Sequence, residues 1–410
     1  MKELTIKLTG MAHGGFAMGR DKNGRPIFVP YAIPGERVRV RLPEEKRRFA
    51  RIELLEVIDF SPDRVKPRCR HFGICGNCHF QHMTYQAQLA AKEAVARDQL
   101  ERVGNIRNPA MQPIVPFPVA YEYRGETTLF PVPDGGLGYW SPIEQRIFLV
   151  EECPILQPEL MAALADLDVD LPGLRKLTLR LGDDELLAAI ETDGVEPPEL
   201  AVDFPVSVAI VLQDRTAAAL IGDPYGVVTL KNRPFRVSPG VVFPSSVMAA
   251  EMVIDAVLDA AEVRPDDRIF LVTGGAGWLA AALAEQAAEV VMIEPNPNAV
   301  ADAVENLDEF DNVAIYEGAV QDILALLENT PTTVVFQESD EAVPASAFKW
   351  LSNNKPQQVV VIAEAGALGK VAGRLSKTGY RLKTAIPLDT TPQTFQVDIV
   401  AVWVVAGQDR

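Results

Sequence analysis

Four thiols carry the most specific chemistry in this sequence. Cys69, Cys75 and Cys78 fall within ten residues, five residues separating the first pair and two the second, and Cys153 follows at a distance, just before Pro154. Scattered structural thiols rarely cluster so tightly, and in a reducing compartment such a group more often binds metal than forms disulfides. Four thiolates close a tetrahedral site around zinc or hold a 4Fe-4S cluster, and ligand count does not choose between them. His79 and His82 are stand-ins for a thiolate in a zinc version.

Two further groupings could do chemistry. Gly274-Gly275-Ala276-Gly277 follows the β-rich run Ile269 to Val272, and Glu294 ends the next such run about twenty residues on. In a βα unit, Gly275 and Gly277 let a ligand approach the backbone, and a carboxylate at Glu294 can take a ribose hydroxyl. A Gly-rich turn alone is as readily structural. Near the N-terminus, Arg37, Arg39, Arg41, Lys46, Arg47, Arg48 and Arg51 interleave with Phe28 and Phe49, a mixture suited to a nucleic-acid backbone and its bases.

The elements that position these groups are legible in outline. Residues 1–60 alternate short β-rich runs (Leu4 to Leu8, Pro26 to Pro30, Arg37 to Leu42, Arg51 to Ile58) with turns such as Gly14-Gly15 and Pro34-Gly35, which suits a small oligonucleotide-binding barrel. Residues 61–240 form a central domain. It holds the cysteine loop, a charged amphipathic helix from Thr84 to Val103 and an irregular β-sheet. Residues 241–410 switch to a helical period and then alternate strands and helices as a doubly wound α/β domain requires, with a last strand at Val397 to Val405.

Composition sets the partner class. The chain has 410 residues and a net charge of −17, yet residues 1–70 hold sixteen Lys/Arg against nine Asp/Glu, a surplus of +7 that leaves −24 for the remainder. A basic module on an acidic body points to a polyanion that meets one end of the molecule. No apolar run approaches the roughly 18 to 20 residues that cross a bilayer, and no signal-peptide core follows Met1, so a cytoplasmic location is expected.

These residues resemble a known family. Ser61-Pro62-Asp63-Arg64-Val65-Lys66-Pro67-Arg68-Cys69, Cys75-Gly76-Asn77-Cys78-His79-Phe80-Gln81-His82 and Cys153-Pro154-Ile155-Leu156 resemble the iron-sulfur segment of the RNA (uracil-5)-methyltransferases. Gly14-Gly15-Phe16-Ala17, Phe28-Val29-Pro30 and Pro34-Gly35-Glu36-Arg37-Val38 resemble that family's RNA-binding TRAM domain. The resemblance implies a 4Fe-4S cluster on Cys69, Cys75, Cys78 and Cys153, a Rossmann-like class I domain for S-adenosylmethionine, and structured RNA, rRNA or tRNA, as partner. It makes Arg37, Arg39, Arg47, Arg48 and Arg51 candidate RNA contacts.

The resemblance also exposes losses. The family's acidic residue at the end of the first strand is Leu271 here, and its aspartate after the third strand is Ala319. The Phe-Gln-x-Asn segment reads Phe243-Pro244-Ser245-Ser246, and Asp-Pro-Pro-Arg reads Gln337-Glu338-Ser339-Asp340. The family's Ser-Cys-Asn-Pro loop, which carries the attacking thiol, reads Ala363-Glu364-Ala365-Gly366. The base in Pro-x-Thr-x-His-Val-Glu becomes Asp398. Methylation at uracil C5 in this family needs a thiolate to add at C6 and a base to remove the C5 proton. With all thiols committed to the cluster, none remains to attack, and the changed donor positions weigh against S-adenosylmethionine being held. The expectation is an RNA-binding member whose catalysis has lapsed. The alternatives are an active methyltransferase using Glu364 or Asp398 as base, and an iron-sulfur redox or sensing module.

Overall fold

The computed structural model describes residues 2–42, 52–133, 135–167, 171, 173–194, 206–212, 216–337 and 345–407, and four sheets organise them. The first is five-stranded, ordered β3-β2-β1-β4-β5, from β1 (Lys2–Ala12), β2 (Phe16–Arg20), β3 (Pro26–Pro30), β4 (Arg37–Leu42) and β5 (Glu53–Asp59). Alternation decides its faces: Ile27 and Val29, then Val38 and Val40, point inward with Ile6 and Leu8, and their neighbours face solvent. The edge strands β3 and β5 approach each other, so the sheet rolls around this core. Gly19 is obligatory within it, since a Cβ there would lie 2.6 Å from the Lys7 carbonyl oxygen.

The cysteine loop leads into α1 (Tyr85–Asp98), whose first turn is capped by the Thr84 hydroxyl accepting from the Ala87 amide. The predicted helix over Thr84 to Val103 is borne out with one change: its last turn, Gln99–Val103, is π-helical. The central region is more regular than its sequence suggests. Strands β6 (Glu126–Pro131), β7 (Leu137–Ser141), β8 (Arg146–Leu149), β9 (Leu174–Leu181), β10 (Leu186–Thr192), β11 (Val206–Val211) and β12 (Ala217–Ile221) make one sheet, ordered β12-β11-β10-β9-β6-β7-β8. The short helix α2 (Pro158–Asp166) joins β8 to β9 and covers one face through Leu160. A hairpin, β13 (Gly226–Leu230) with β14 (Arg233–Val237), then leads to α3 (Val247–Ala261).

The last sheet positions the candidate site. It comprises β15 (Arg268–Val272), β16 (Glu289–Glu294), β17 (Val313–Glu317), β18 (Thr333–Gln337), β19 (Gln358–Glu364), β20 (Tyr380–Leu388) and β21 (Asp398–Val405), in the order β17-β16-β15-β18-β19-β21-β20. The first five are parallel, and β21 runs antiparallel between β19 and β20. Helices α4 (Trp278–Ala284), α5 (Pro297–Asn306), α6 (Val320–Leu326), α7 (Ala345–Asn354) and α8 (Ala365–Lys377) alternate with the strands, and separate apolar cores cover the two faces. The strand order reverses between β15 and β18, which opens a crevice at the carboxyl ends. Among the described residues no helix is long and apolar enough to cross a membrane.

Candidate functional site

The fold gathers all four cysteines. Cys69, Cys75 and Cys78 come from the loop before α1 and Cys153 from the segment after β8, and together they line one pocket with His71, Gln81 and Tyr139. None forms a disulfide. Burial pushes every thiol up, Cys75 to about 11 and Cys78 to about 12. N–H donors oppose that shift: the amides of His71 toward Cys69, Asn77 toward Cys75, Ile155 and Leu156 toward Cys153, and the Gln81 side chain toward Cys78. Donors aimed at sulfur stabilise thiolates, so the donor set fits a metal–sulfur group whose positive charge offsets the desolvation. Among the described residues, no group of three or more His, Cys, Asp or Glu side chains is placed to hold a metal ion. His79 and His82, the stand-ins of a zinc version, do not line the pocket. Burial lowers both to about 4, and their rings pack on Phe395 and Phe72 respectively.

The second site is a crevice of about 320 Å³ at the carboxyl ends of β18 and β19, walled by Phe243, Trp278, Gln337, Glu364, Thr391 and Asp398. Glu364 ends β19 and caps α8, its carboxylate accepting from the Gly366 amide at 2.8 Å. His13, from the turn between β1 and β2, places Nε2 3.0 Å from Glu364 Oε1 and 3.1 Å from Oε2. Asp398 faces Glu364 directly in the β19–β21 ladder. Its carboxylate accepts from the Thr390 hydroxyl, while burial foremost, and the Glu364 charge with it, push its pKa up. The structure therefore sets Glu364 and Asp398 side by side in the crevice. A carboxylate already engaged by an amide and an imidazole is a poor attacking group, whereas Asp398 can accept a proton.

Gly275 and Gly277 adopt left-handed φ values of 58° and 86°, and a Cβ on Gly277 would lie 2.8 Å from Leu307. The preceding Thr273, β-branched at φ 59°, is held in that strained conformation while its hydroxyl donates to the Gln337 carbonyl. Glu294 is only 5% exposed and turns inward, accepting from the Gly275 amide at 2.9 Å and the Asn296 amide at 2.8 Å. It braces the glycine turn, with two of its four lone-pair sites already used.

The barrel arginines are placed differently from the simplest expectation. Arg37 and Arg39 point outward from β4, but Arg37 pairs with Asp59, Arg39 with Glu56 and Glu3, and Arg41 with Glu53 and Glu3. RNA phosphates would have to compete with these carboxylates. Arg47, Arg48 and Arg51 lie outside the described residues, as do Glu338, Ser339 and Asp340.

Sequence reasoning missed the residues that join the two sites. Gln393 sits at φ 70° and is 2% exposed; its carbonyl accepts from the amides of His79 at 2.8 Å and Phe80 at 2.9 Å, just after Cys78. Its side chain bonds Gln88 and the Ala120 carbonyl. Beside it, the fully buried Lys92 of α1 donates to Asp389 and to the Thr391 carbonyl. Segment 389–397 is thus tied to the cysteine loop on one side and lines the crevice on the other. No local pattern announces contacts across some 300 positions.

Comparison with known proteins agrees with this architecture. The TRAM domain family matches residues 1–55. An RNA methyltransferase of Thermosynechococcus vestitus is 26% identical over 439 residues, covering 97% of both chains. The 23S rRNA (uracil(1939)-C(5))-methyltransferase RlmD of Alkalilimnicola ehrlichii is 28% identical over 434 residues, covering 98% of this chain and 97% of its own. Among solved structures, the Pyrococcus abyssi tRNA (uracil-54, C5)-methyltransferase in complex with S-adenosyl-L-homocysteine superposes with a TM-score of 0.74 at 20% identity, over 98% of this chain and 100% of the other, a likeness of fold. Over nearly its whole length the chain is thus similar to RNA (uracil-5)-methyltransferases, and its N-terminal 55 residues match the TRAM domain.

Proposed function

We propose that this protein binds structured RNA in the cytoplasm, holds a 4Fe-4S cluster on Cys69, Cys75, Cys78 and Cys153, and has lost the covalent route to uracil methylation. The observation that carries this reading is the commitment of its side chains. The chain has four cysteines, and all four line the pocket remote from the crevice in sequence, while Glu364, the residue that the resemblance sets in the place of the attacking cysteine, is a helix cap bonded to His13. What supports the cluster is the shared pocket of four sulfurs with N–H donors directed at them, together with the resemblance of the cysteine segments. Such a cluster contributes folding energy and accepts electrons, and the chain's own part is to supply four sulfurs and the N–H groups around them.

S-adenosylmethionine, when bound, supplies a methyl group. Gly275, Gly277 and Glu294 are the residues that would hold its nucleoside, and the altered Pro244, Ser245 and Ser246 weaken the rest of that site. The second reading, an active methyltransferase on rRNA or tRNA, draws on the names of the relatives and on the adjacency of Glu364 and Asp398, with Asp398 as base. Methyl transfer from labelled S-adenosylmethionine to total rRNA and tRNA, with a calorimetric titration of the donor, separates the two. No incorporation is the expected result. Incorporation above background overturns the proposal.

A further inference from the structure

Helix α8 begins at the crevice, where Glu364 caps it, and carries Lys370, Arg374 and Lys377 at spacings of four and three residues, which places them on one face. The helix contains no Asp or Glu, and the next carboxylate after Glu364 is Asp389, so residues 365–388 hold five cations and no anion in a chain of net charge −17. Lys370 and Lys377 are exposed, and Arg374 lays its guanidinium 3.7 Å above the centre of the Phe348 ring on α7. Lys370 is also near enough to His13 to oppose its protonation, so the basic face starts beside the barrel turn that meets the crevice mouth.

Within α8 itself no carboxylate follows the capping Glu364, and the basic run starts at the mouth of the crevice. Seven residues of helix extend the three cations over roughly 10 Å. That span exceeds one small anion and suits consecutive charges of a polymer. Arg37, Arg39 and Arg41 on β4 of the barrel are already paired with carboxylates, so RNA gains from a second electrostatic anchor.

We propose that the outer face of α8 is a phosphate track on which the RNA backbone lies as it approaches the crevice, with Lys370, Arg374 and Lys377 as its contacts. The assignment rests on the RNA-binding reading above. Backbone contacts release counterions, so each contact contributes about 0.7 to the slope of log affinity against log salt for a single strand.

The test uses the full-length protein, a fluorescein-labelled (U)20 RNA and fluorescence anisotropy across a salt series. The variant Lys370→Gln/Lys377→Gln is expected to bind more weakly and to flatten the slope by about 1.4. Lys370→Arg/Lys377→Arg should restore the slope, and Lys231→Gln on the β13–β14 turn should leave it unchanged. A wild type that binds no RNA overturns the RNA-binding reading and the track with it. A wild type that binds, matched by the double Gln variant in affinity and slope, overturns the track alone. So does a double Gln variant that keeps its RNA affinity but loses binding to phosphatidylserine vesicles, which would make the face a membrane surface.

Discussion

His13 Nε2 and Glu364 Oε1 stand 3.0 Å apart although 351 positions separate them, and through this pair the barrel closes against the crevice. Hydrogen bonding to Glu364 foremost holds the His13 imidazole above its ordinary 6.5. A raised histidine contributes stability that is complete below the unfolded value and disappears as pH rises through the folded one. The side chains are 37% and 26% exposed, so screening keeps the contribution at or below about 1 kcal/mol. His13→Ala should therefore lower the melting temperature at pH 6 and have little effect at pH 9, checked by thermal denaturation of both proteins at both values. An equal loss at both pH values would mean that packing on Phe395, and not charge, is what His13 contributes.

The Lys92–Asp389 pair is fully buried on both sides. Removing one partner strands a charge in an apolar interior, which costs about 3–5 kcal/mol, whereas replacing both with apolar residues is often near neutral. Lys92→Met should be strongly destabilised in urea denaturation, and Lys92→Met/Asp389→Leu should recover most of the loss. Equal stability of the single and double variants would show that the two charges are not coupled.

Gln393 ties the cysteine loop to the crevice segment. Gln393→Ala deprives the Gln88 Nε2 donor and the Ala120 carbonyl of their bonds to the Gln393 side chain, at a cost of about 1–3 kcal/mol. The carbonyl that receives the His79 and Phe80 amides is kept, but without its side-chain bonds the segment that presents it loosens, so the variant should also release the proposed iron to a chelator faster than wild type. Unchanged release with lowered stability would confine the role of Gln393 to packing.

Cys75→Ser and Cys153→Ser each remove one of the proposed ligands. Both should purify anaerobically with reduced iron and sulfide, bleached visible absorbance and a lowered melting temperature, since metal-binding energy is also folding energy. Zinc in place of iron in the wild type, measured by elemental analysis, would replace the cluster with a mononuclear site.

Periodicity and turn chemistry made the parallel strands of the last sheet and helix α3 readable, because buried parallel strands are short apolar runs. Strand β20 was not readable: Tyr380–Leu388 mixes Arg381, Lys383 and Pro387 into its apolar residues, as an edge strand tolerates. The gathering of the thiols was signalled by spacing for three cysteines and by resemblance for Cys153. The arginines of β4 were visible as a basic run, but their neutralisation was not, because Asp59, Glu56 and Glu53 arrive on β5 and Glu3 on β1 through cross-strand register. Contacts such as those of Gln393 depend on tertiary placement and leave no trace in a local window.

The bond from Gln393 back to the loop at Cys78 fixes an order of events during synthesis. The ribosome emits residues 1–78 long before residue 393, so the barrel can close early while the amides of His79 and Phe80 await their acceptor. Three of the four sulfurs emerge on a loop whose following amides, those of His79 and Phe80, find their acceptor only when residue 393 has been made. The hydrogen bonds that tie down the chain just after Cys78 are therefore among the last that the growing polypeptide can make.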